Sequence, residues 1–539
     1  MPADAVFLNA ELFNPFDCTW DLCDFAVSDG IVIGKGDYSG KKEIDLGGAK
    51  VLPGLIDSHV HIESSLLTPS EYGRLVIPHG TTTVIADPHE IANVSGAEGI
   101  EYMLAESGKT DLNIEYMVPS CVPATPADAG GAILDAEDIR KFKGREHILG
   151  LGEMMNYPGV LAGFDDVYEK LAVFDLIDGH CPGLTGKGLN AYVMQGIGSE
   201  HECTNFPEAL EKLEAGMHIF IREGSTEKNL KALAPLVDGI TVSRCSFATD
   251  DRHADMLFYS GHIDDCIRKA IEYGMKPELA YRMATLSASD YFRLRDRGAV
   301  SPGRRADFCI IDDSDGFEVR KTFIGGNEFI DPGHLAPGKI SYDFNLRMPD
   351  KSGMKIRGKG IAKVISIVEG EIITKRLDME LDASGVPDQE NDILKVIVCD
   401  RYRGGGFGTG LVKGFGLKKG AIASSVSHDS HNVVAVGVSD EEIIDAVSIV
   451  NACKGGMAVV CGDKKAVLPL ECGGIMSYMP YESVVENLAE INEILKEMTA
   501  LKDPFMYLSF LALTVIPELR ITDRGLFDVG SFIDVSVFD

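Results

Sequence analysis

Short apolar runs alternate with polar, chemically reactive residues along the first half of the chain, and the pattern occurs eight times between residues 53 and 297. Each run ends at a side chain that can bind a metal or transfer a proton, or at its close neighbour. The markers of these run ends are His61, His89, Cys121, Glu153, His180, His201, Glu223 and Asp250. Successive markers lie 21 to 32 residues apart, which is enough chain for a strand, a loop and a crossover helix. The pattern therefore predicts eight consecutive βα units.

Eight such units with reactive groups at the carboxyl ends of their strands predict a TIM-like (β/α)₈ barrel, because catalytic groups lie on that face of the fold. We place the barrel at 53–297. The segments 1–52 and 298–345 contain short alternating strands with turn glycines and predict one small flanking β-sheet domain. From 346 to 539 the pattern changes to a separate C-terminal α/β domain, with a long helix near 481–500. The predicted fold class is α/β.

Composition and charge narrow the function further. The chain has 539 residues, of which 45% are hydrophobic, and its mean hydropathy of +0.04 is ordinary for a globular protein. Its formal net charge of -32 repels phosphate backbones and anionic lipid surfaces. The sequence shows neither a signal-peptide pattern nor an apolar run of about 18 residues. We therefore expect a cytoplasmic enzyme that binds neither nucleic acid nor membranes, and we expect a protein of this size and build to be a homo-oligomer.

The strongest local motif is His59-Val-His61, because residues two apart on a strand point to the same face. Paired histidines also occur on exposed strands, so the motif alone leaves its role open. Nitrogen and oxygen donors also end the predicted strands four, five, six and eight, at Glu153, His180, His201 and Asp250. Each of these residues taken singly could be a satisfied core or rim residue. Six donors at one end of a barrel predict a site for two divalent metal ions with a carboxylate between them.

This arrangement resembles the amidohydrolase superfamily. The resemblance implies that His59 and His61 bind one metal, that His180 and His201 bind the other, and that Asp250 lies beside an activated water. Many members bridge the metals with a carboxylated lysine on the fourth strand, whereas this sequence has Glu153 there. That departure resembles the adenine deaminase branch, as do three further motifs spread over the chain. These motifs are Asp87-Pro-His89-Glu90, Gly179-His180-Cys-Pro-Gly and Ser427-His428-Asp429-Ser-His431.

The resemblance implies hydrolysis of adenine to hypoxanthine and ammonia, a reaction of purine salvage, with a small-molecule purine as substrate. Metal coordination lowers the pKa of a water molecule from about 15.7 toward about 7, so the water can attack C6. Asp250 would carry the proton of the water to the leaving amino group, with Glu153 as the catalytic bridge. Glu90 or His89 would protonate a ring nitrogen, unless their turn is a helix cap. Manganese is the favoured ion, with iron and zinc as alternatives.

Further residues are expected to bind the substrate. They are Asp87, Asp251, His428, Asp429 and His431, of which the last three could instead form a plain polar loop. Two alternative functions stay open at this point. One is a cyclic amidohydrolase on the same barrel, similar to a dihydroorotase or a hydantoinase. The other is a catalytically silent scaffold. The six candidate ligands argue against it, because only metal binding would require all of them together.

Overall fold

Eight parallel strands form the central barrel of the protein, in a computed structural model that describes residues 2–125, 127, 129–225, 228–314, 316–370 and 373–538. The first five strands form one sheet and the last three form another. The barrel strands are Leu55–Val60, Thr81–Ala86, Asn113–Val118, Ile148–Met154, Ile177–Gly179, Ser199–Glu200, His218–Arg222 and Cys245–Ala248. The predicted fold class, an α/β protein built on a (β/α)₈ barrel, is confirmed.

The barrel closes at two seams. Between the fifth and sixth strands, the Gly198 N–H donates to the Ile177 carbonyl at 2.9 Å. Between the eighth and first strands, the Asp250 N–H donates to the His59 carbonyl at 2.9 Å, and Val60 forms a parallel bridge with Asp250. The predicted markers all lie at the carboxyl ends of these strands or within three residues of them, so the structure brings them to one mouth.

A buried carboxylate supports the seam between the first and eighth strands. Asp57 Oδ1 accepts the backbone N–H groups of His59 at 3.2 Å and of Thr249 at 3.1 Å. Its Oδ2 lies 2.9 Å from His262 Nε2. Because strand ends leave N–H groups without a ladder partner, this carboxylate satisfies two of them and joins the strands that carry His59 and Asp250.

Helices cover the outside of the barrel. Those between successive strands are Pro69–Val76, His89–Ser95, Ala97–Ser107, Ala136–Arg140, Tyr157–Ala162, Asp165–Leu171, Gly186–Val193, Phe206–Glu214 and Leu230–Leu233. After the last strand come Ala254–Ser260, Ile263–Glu272, Pro277–Arg282 and Ala288–Tyr291. No helix in the described part of the chain is long and apolar enough to cross a membrane.

Strands from both sides of the barrel segment form one flanking sheet. Strand Phe308–Asp312 pairs antiparallel with Lys50–Pro53, so chain that precedes the barrel joins chain that follows it. Its remaining strands are Ala3–Asn14, Thr19–Ser28, Ile31–Lys35, Gly40–Asp45, Glu318–Ile324 and Asn327–Glu328. Phe7, Phe25 and Phe308 pack together in its core, with ring centroids 4.9 to 5.3 Å apart.

The C-terminal part is a second α/β unit with an eight-stranded sheet. Helix Asp440–Cys453 packs on one face of this sheet. The other face packs on the barrel side, where Val434 and Val436 share an apolar core with Val60 and Ile62. The sheet strands are Lys359–Ile367, Thr374–Asp382, Leu394–Cys399, Phe407–Lys413, Ala421–Ser424, Val433–Gly437, Gly456–Cys461 and Lys464–Pro469. This contact carries the C-terminal unit across the mouth of the barrel.

The end of the chain adds helices and a small sheet. The long helix predicted near 481–500 is present as Tyr481–Met498, and a short helix, Pro504–Phe510, follows it. Three strands, Leu519–Thr522, Gly525–Asp528 and Ile533–Val535, form the last sheet. The segment 510–517 between helix and sheet lies over the barrel mouth.

Arg520 holds that segment in place. Its side chain is fully buried, and it donates to the carbonyls of Ile516 and Phe510 at 2.7 Å and of Pro517 at 3.0 Å. Three backbone acceptors of one loop are therefore satisfied by one guanidinium, which presents several donors in a fixed plane.

Replacing this guanidinium should destabilise the C-terminal unit. We expect Arg520→Met to lower the free energy of unfolding by about 3 kcal/mol or more, because a buried carbonyl left without a donor costs roughly 1–3 kcal/mol. Thermal and urea midpoints would measure the change. Arg320→Met, at a side chain that is half exposed, is the matched control and should leave both midpoints nearly unchanged. Equal midpoints for the two variants would contradict this account of the loop.

Candidate active site

Four donors from three strands meet on one side of the barrel mouth. His61 Nε2 lies 3.3 Å from Glu153 Oε1 and 3.1 Å from Asp250 Oδ1. His59 Nε2 lies 3.8 Å and 3.7 Å from the same two oxygens, and 3.2 Å from His61 Nε2. His61 Nδ1 donates to the Asp87 carbonyl at 2.9 Å, which leaves the lone pair of Nε2 directed into this group.

A second group of donors uses the other oxygen of Glu153. Glu153 Oε2 lies 2.7 Å from His180 Nδ1 and 3.3 Å from His201 Nε2. Glu202 completes this group, with Oε1 at 3.8 Å from His180 Nδ1 and 3.5 Å from His201 Nε2. One carboxylate therefore stands between two histidine pairs, one pair on each oxygen.

These separations fit divalent cations. Nitrogen and oxygen atoms that share one ion at about 2.1 Å are roughly 3.0 to 3.5 Å apart, for tetrahedral or octahedral angles. Most of the donor contacts in both groups are in or near that interval. The histidine and carboxylate donors of both groups are almost completely buried, and each group combines imidazole nitrogens with carboxylate oxygens. That donor set is one that borderline divalent metals accept.

Asp250 is held as a carboxylate by an arginine. Burial alone would raise the pKa of Asp250, but the Arg222 guanidinium lowers that pKa well below its usual range. Arg222 also binds Glu202, with Nη2 at 3.1 Å from Oε2, and thus joins the two sides of the mouth. Asp250 itself has a φ of 54°, in the left-handed region that aspartate tolerates better than most residues.

Sequence reasoning missed Glu202 and Arg222 as site residues. The sequence did place both residues near predicted strand ends, since Glu202 directly follows His201 and Arg222 ends the seventh strand. Neither residue belongs to a spaced motif, and an acid next to a histidine or an arginine at a strand end is common. Their role becomes visible only when the strands are placed side by side.

Asp87 supports the bridge from behind. Its Oδ2 accepts the backbone N–H of Glu153 at 2.9 Å, which fixes the end of the fourth strand against the second. Burial raises the pKa of the Asp87 carboxyl to about 7, although His89 nearby opposes that rise. The prediction that Asp87 binds substrate therefore stays a prediction, while its contact with the Glu153 backbone is a structural fact.

A third polar cluster joins the barrel to the C-terminal unit. Glu90 forms a close ion pair with His428 and a close hydrogen bond with His431 across this boundary. His89 lies between this cluster and the bridge, with Nε2 3.5 Å from Asp429 Oδ1 and Nδ1 3.4 Å from Glu153 Oε1. Three predicted residues of the loop near 428 thus meet two predicted residues of the second strand end.

The charges in this third cluster are paired. Burial alone would raise the pKa of Glu90, but the two imidazoles beside it hold that pKa well below its usual range. Burial alone would lower the pKa of His428, but the Glu90 carboxylate raises it to about 10. At neutral pH the pair therefore holds a proton on His428, next to an ionised Glu90.

One cavity connects all of these groups. Its polar wall contains the candidate metal donors other than His59, together with Asp251, His428 and Asp429. Its apolar wall is formed by Met155, Phe510, Leu513 and Ile516. Phe510 stacks on His428 with ring centroids 4.7 Å apart and an interplanar angle of 9°. A flat ring with polar edges suits a cavity that combines an apolar wall with hydrogen-bonding groups.

The structure divides the predicted substrate-binding residues and the predicted proton donors, His89 and Glu90, into two sets. Asp251, His428 and Asp429 face the cavity, as does His89. Among the residues that the structure describes, Asp87, Glu90 and His431 are not part of the cavity wall and lie one layer behind it. The six predicted metal ligands lie together at the mouth, and His59 is the one of the six that does not line the cavity.

Comparisons with known proteins agree with this geometry. The amidohydrolase family model matches residues 50–329, and the adenine deaminase C-terminal domain model matches residues 371–533. The adenine deaminase of Methanoculleus marisnigri is 58% identical over 516 residues, which cover 96% of this chain and 100% of that protein. That of Methanoregula boonei is 55% identical and covers 100% of this chain and 97% of its own length. Adenine deaminase 2 of Carboxydothermus hydrogenoformans is 44% identical, with 99% and 97% covered.

These matches extend over the barrel, the flanking sheet and the C-terminal unit. The chain therefore belongs to the adenine deaminase family of amidohydrolases, which makes it a hydrolase that acts on C–N bonds.

Proposed function

We propose that the protein is a divalent-metal-dependent adenine deaminase, which converts adenine and water to hypoxanthine and ammonia in purine salvage. One observation carries this proposal. A single buried carboxylate, Glu153, lies between two histidine pairs, beside a cavity with an apolar wall and a polar wall that includes His428 of the charged Glu90–His428 pair. The family membership supplies the substrate that fits this cavity, a flat heteroaromatic base.

The proposed ligands follow from the two donor groups. His59, His61 and Asp250 would hold one ion, and His180 and His201 would hold the other, with Glu153 available to both pairs. When bound, the two ions supply a water molecule of lowered pKa and an electrostatic sink for the negative charge of the reaction. Manganese is the proposed ion, and iron and zinc suit the same nitrogen and oxygen donors.

Asp250 is the proposed proton carrier. Its Oδ2 is held by Arg222, while its Oδ1 faces His61, so the carboxylate is ionised and oriented toward the mouth. It accepts a proton from the attacking water as the oxygen bonds to C6 of the ring. It then delivers that proton to the amino group as the C6–N bond breaks, so that ammonia is the leaving group.

The ring nitrogen needs a second proton donor, because attack at C6 places negative charge on the ring. His428 bears a proton next to Glu90 and faces the cavity, and His89 lies beside both. Glu90, predicted from the sequence as a donor, acts in this geometry through His428. Asp251 and Asp429 lie at the same wall and are proposed to accept hydrogen bonds from the purine edge.

Location and assembly belong to the same proposal. The net charge of -32 disfavours binding to nucleic acid and to anionic membranes, and the substrate is a small purine. We propose a cytoplasmic protein that acts on the free base, and we propose a homo-oligomer because the chain is a large barrel with an added domain.

A substrate assay tests the function. Purified protein with Mn²⁺ should release ammonia from adenine and form hypoxanthine in equal amounts, which an ammonia-coupled assay and ultraviolet absorbance measure independently. Removal of the metal by a chelator should abolish both signals, and added Mn²⁺ should restore them. Opening of dihydroorotate or a hydantoin without release of ammonia from adenine would replace this function with a cyclic amidohydrolase activity.

The bridge can be tested by substitution. Glu153→Gln keeps the shape of the side chain but removes the charge that both histidine pairs share. We expect bound metal to fall below two equivalents and kcat to fall by on the order of a hundredfold or more. Elemental analysis and ammonia release measure the two effects. Glu146→Gln, at a side chain that is 91% exposed, should change neither value.

The proton donor can be tested separately from the metals. We expect Glu90→Gln to lower kcat by roughly 10² to 10⁴, since general acid catalysis contributes about that much, while two metal equivalents remain bound. The physical reason is that His428 loses the carboxylate that keeps it protonated. His147→Gln, at a half-exposed side chain, is the control. An unchanged kcat in Glu90→Gln would remove the Glu90–His428 pair from the mechanism.

A further inference from the structure

A fully buried carboxylate crosses the seam of the barrel between the two strands that end at His180 and His201. Glu200 is the last residue of the sixth strand, and its Oε2 accepts the backbone N–H of Cys181 at 2.8 Å. The Cys181 thiol donates to the same oxygen at 2.8 Å. Its Oε1 accepts the backbone N–H of Glu202. Because Cys181 directly follows His180 and Glu202 directly follows His201, one side chain holds the backbone next to both histidines.

In the described chain this seam is crossed by the hydrogen bond from the Gly198 N–H to the Ile177 carbonyl and by bonds of the Ser199 hydroxyl, but by no strand ladder. The fifth strand, Ile177–Gly179, and the sixth strand, Ser199–Glu200, have three and two residues and belong to different sheets. His59 and His61, in contrast, share one strand, so the strand itself sets their spacing. No single strand sets the distance between His180 and His201, so that distance depends on how the ends of two strands are held together.

A buried lysine neutralises Glu200. Lys212 lies on helix Phe206–Glu214 and is fully buried, with Nζ at 3.4 Å from Glu200 Oε2. It donates to the Cys181 carbonyl and to Glu208 Oε1, both at 2.7 Å. Glu208 Oε1 in turn accepts the N–H of Gly183 at 2.8 Å. A buried charge without a partner is strongly destabilising. Lys212 and the two glutamates therefore stabilise one another as ion pairs.

We propose that Glu200 and Lys212 are positioning residues for the second cation, because they set the separation of His180 and His201. This inference rests on the proposed ligand set. Neither residue is part of the cavity wall in the described chain, and neither has a part in the proposed chemistry. Ligand sites lose affinity when their supporting groups are removed, since the ligands then leave the geometry that the ion requires.

The test measures the two cations separately. Glu200→Gln preserves the size of the side chain but leaves one acceptor oxygen. The backbone N–H groups of Cys181 and Glu202 each need one. We expect the variant to bind the second Mn²⁺ 10 to 100 times more weakly, so that dialysed protein retains about one equivalent where the wild type retains two. Raising the Mn²⁺ concentration should restore kcat, and KM for adenine should not change.

A second variant protects the test against a failure of folding. Lys212→Met should give the same loss of one equivalent, and Lys212→Arg, which keeps the charge, should recover most of it. The matched control is Glu106→Gln, at a buried glutamate on an outer helix that accepts the N–H of Gly338 and binds Lys109. It removes a similar ion pair and should leave two equivalents.

The outcomes separate this inference from the proposed function. His180→Asn, which removes a proposed ligand, should also leave one equivalent. If His180→Asn has one equivalent while Glu200→Gln and Lys212→Met keep two with wild-type affinity, the positioning role is wrong and the ligand set stands. If all three variants keep two equivalents, the ligand set fails and the positioning role fails with it. Loss of metal in Glu106→Gln as well would show a general effect of instability and overturn the inference.

Discussion

The negative charge of Glu153, placed between two pairs of imidazoles, is the interaction on which the mouth of this barrel depends. A carboxylate buried to this degree is costly to ionise unless positive charge or hydrogen-bond donors compensate it. Each of its oxygens faces a histidine pair, and its backbone is tied to the second strand through Asp87. The positions of the surrounding donors are therefore coupled to one another through a single side chain.

Buried carboxylates solve the same problem at several strand ends. A parallel strand that stops at the mouth leaves N–H groups that have no ladder partner, and buried N–H groups must be satisfied. Asp57, Asp87 and Glu200 each accept such a group from another strand or from its end. Each of these carboxylates touches the backbone next to a candidate metal donor, or the backbone of the donor itself. The groups that close the barrel thereby also align the donors.

The C-terminal unit completes the site from above. Its loop brings His428 and His431 to Glu90, and Phe510 covers the cavity beside His428. Arg520 fixes the carbonyls of the covering segment. The barrel supplies the candidate metal donors, and the second unit supplies most of the apolar wall, so neither part of the chain forms the cavity alone.

Local sequence determined which side chains stand at strand ends. The spacing of the markers follows from the length of a βα unit, and the pairing of His59 with His61 follows from the two-residue period of a strand. Both features could therefore be predicted from the sequence alone. The fold class was predicted on that basis, the family was predicted from the resemblance of the motifs, and both are confirmed. The roles assigned to the six donors and to the substrate-binding residues stay predictions, although the structure brings the six donors together.

Only the tertiary structure decided which distant groups meet. Glu202 and Arg222 join the site because the sixth, seventh and eighth strands stand side by side. Glu90 meets His431 across 341 residues, and both residues lie behind the cavity wall. No local period encodes such contacts, because they depend on how the C-terminal sheet packs its apolar face on the barrel. Sequence thus specified the chemistry available at each strand end, and packing specified the partners.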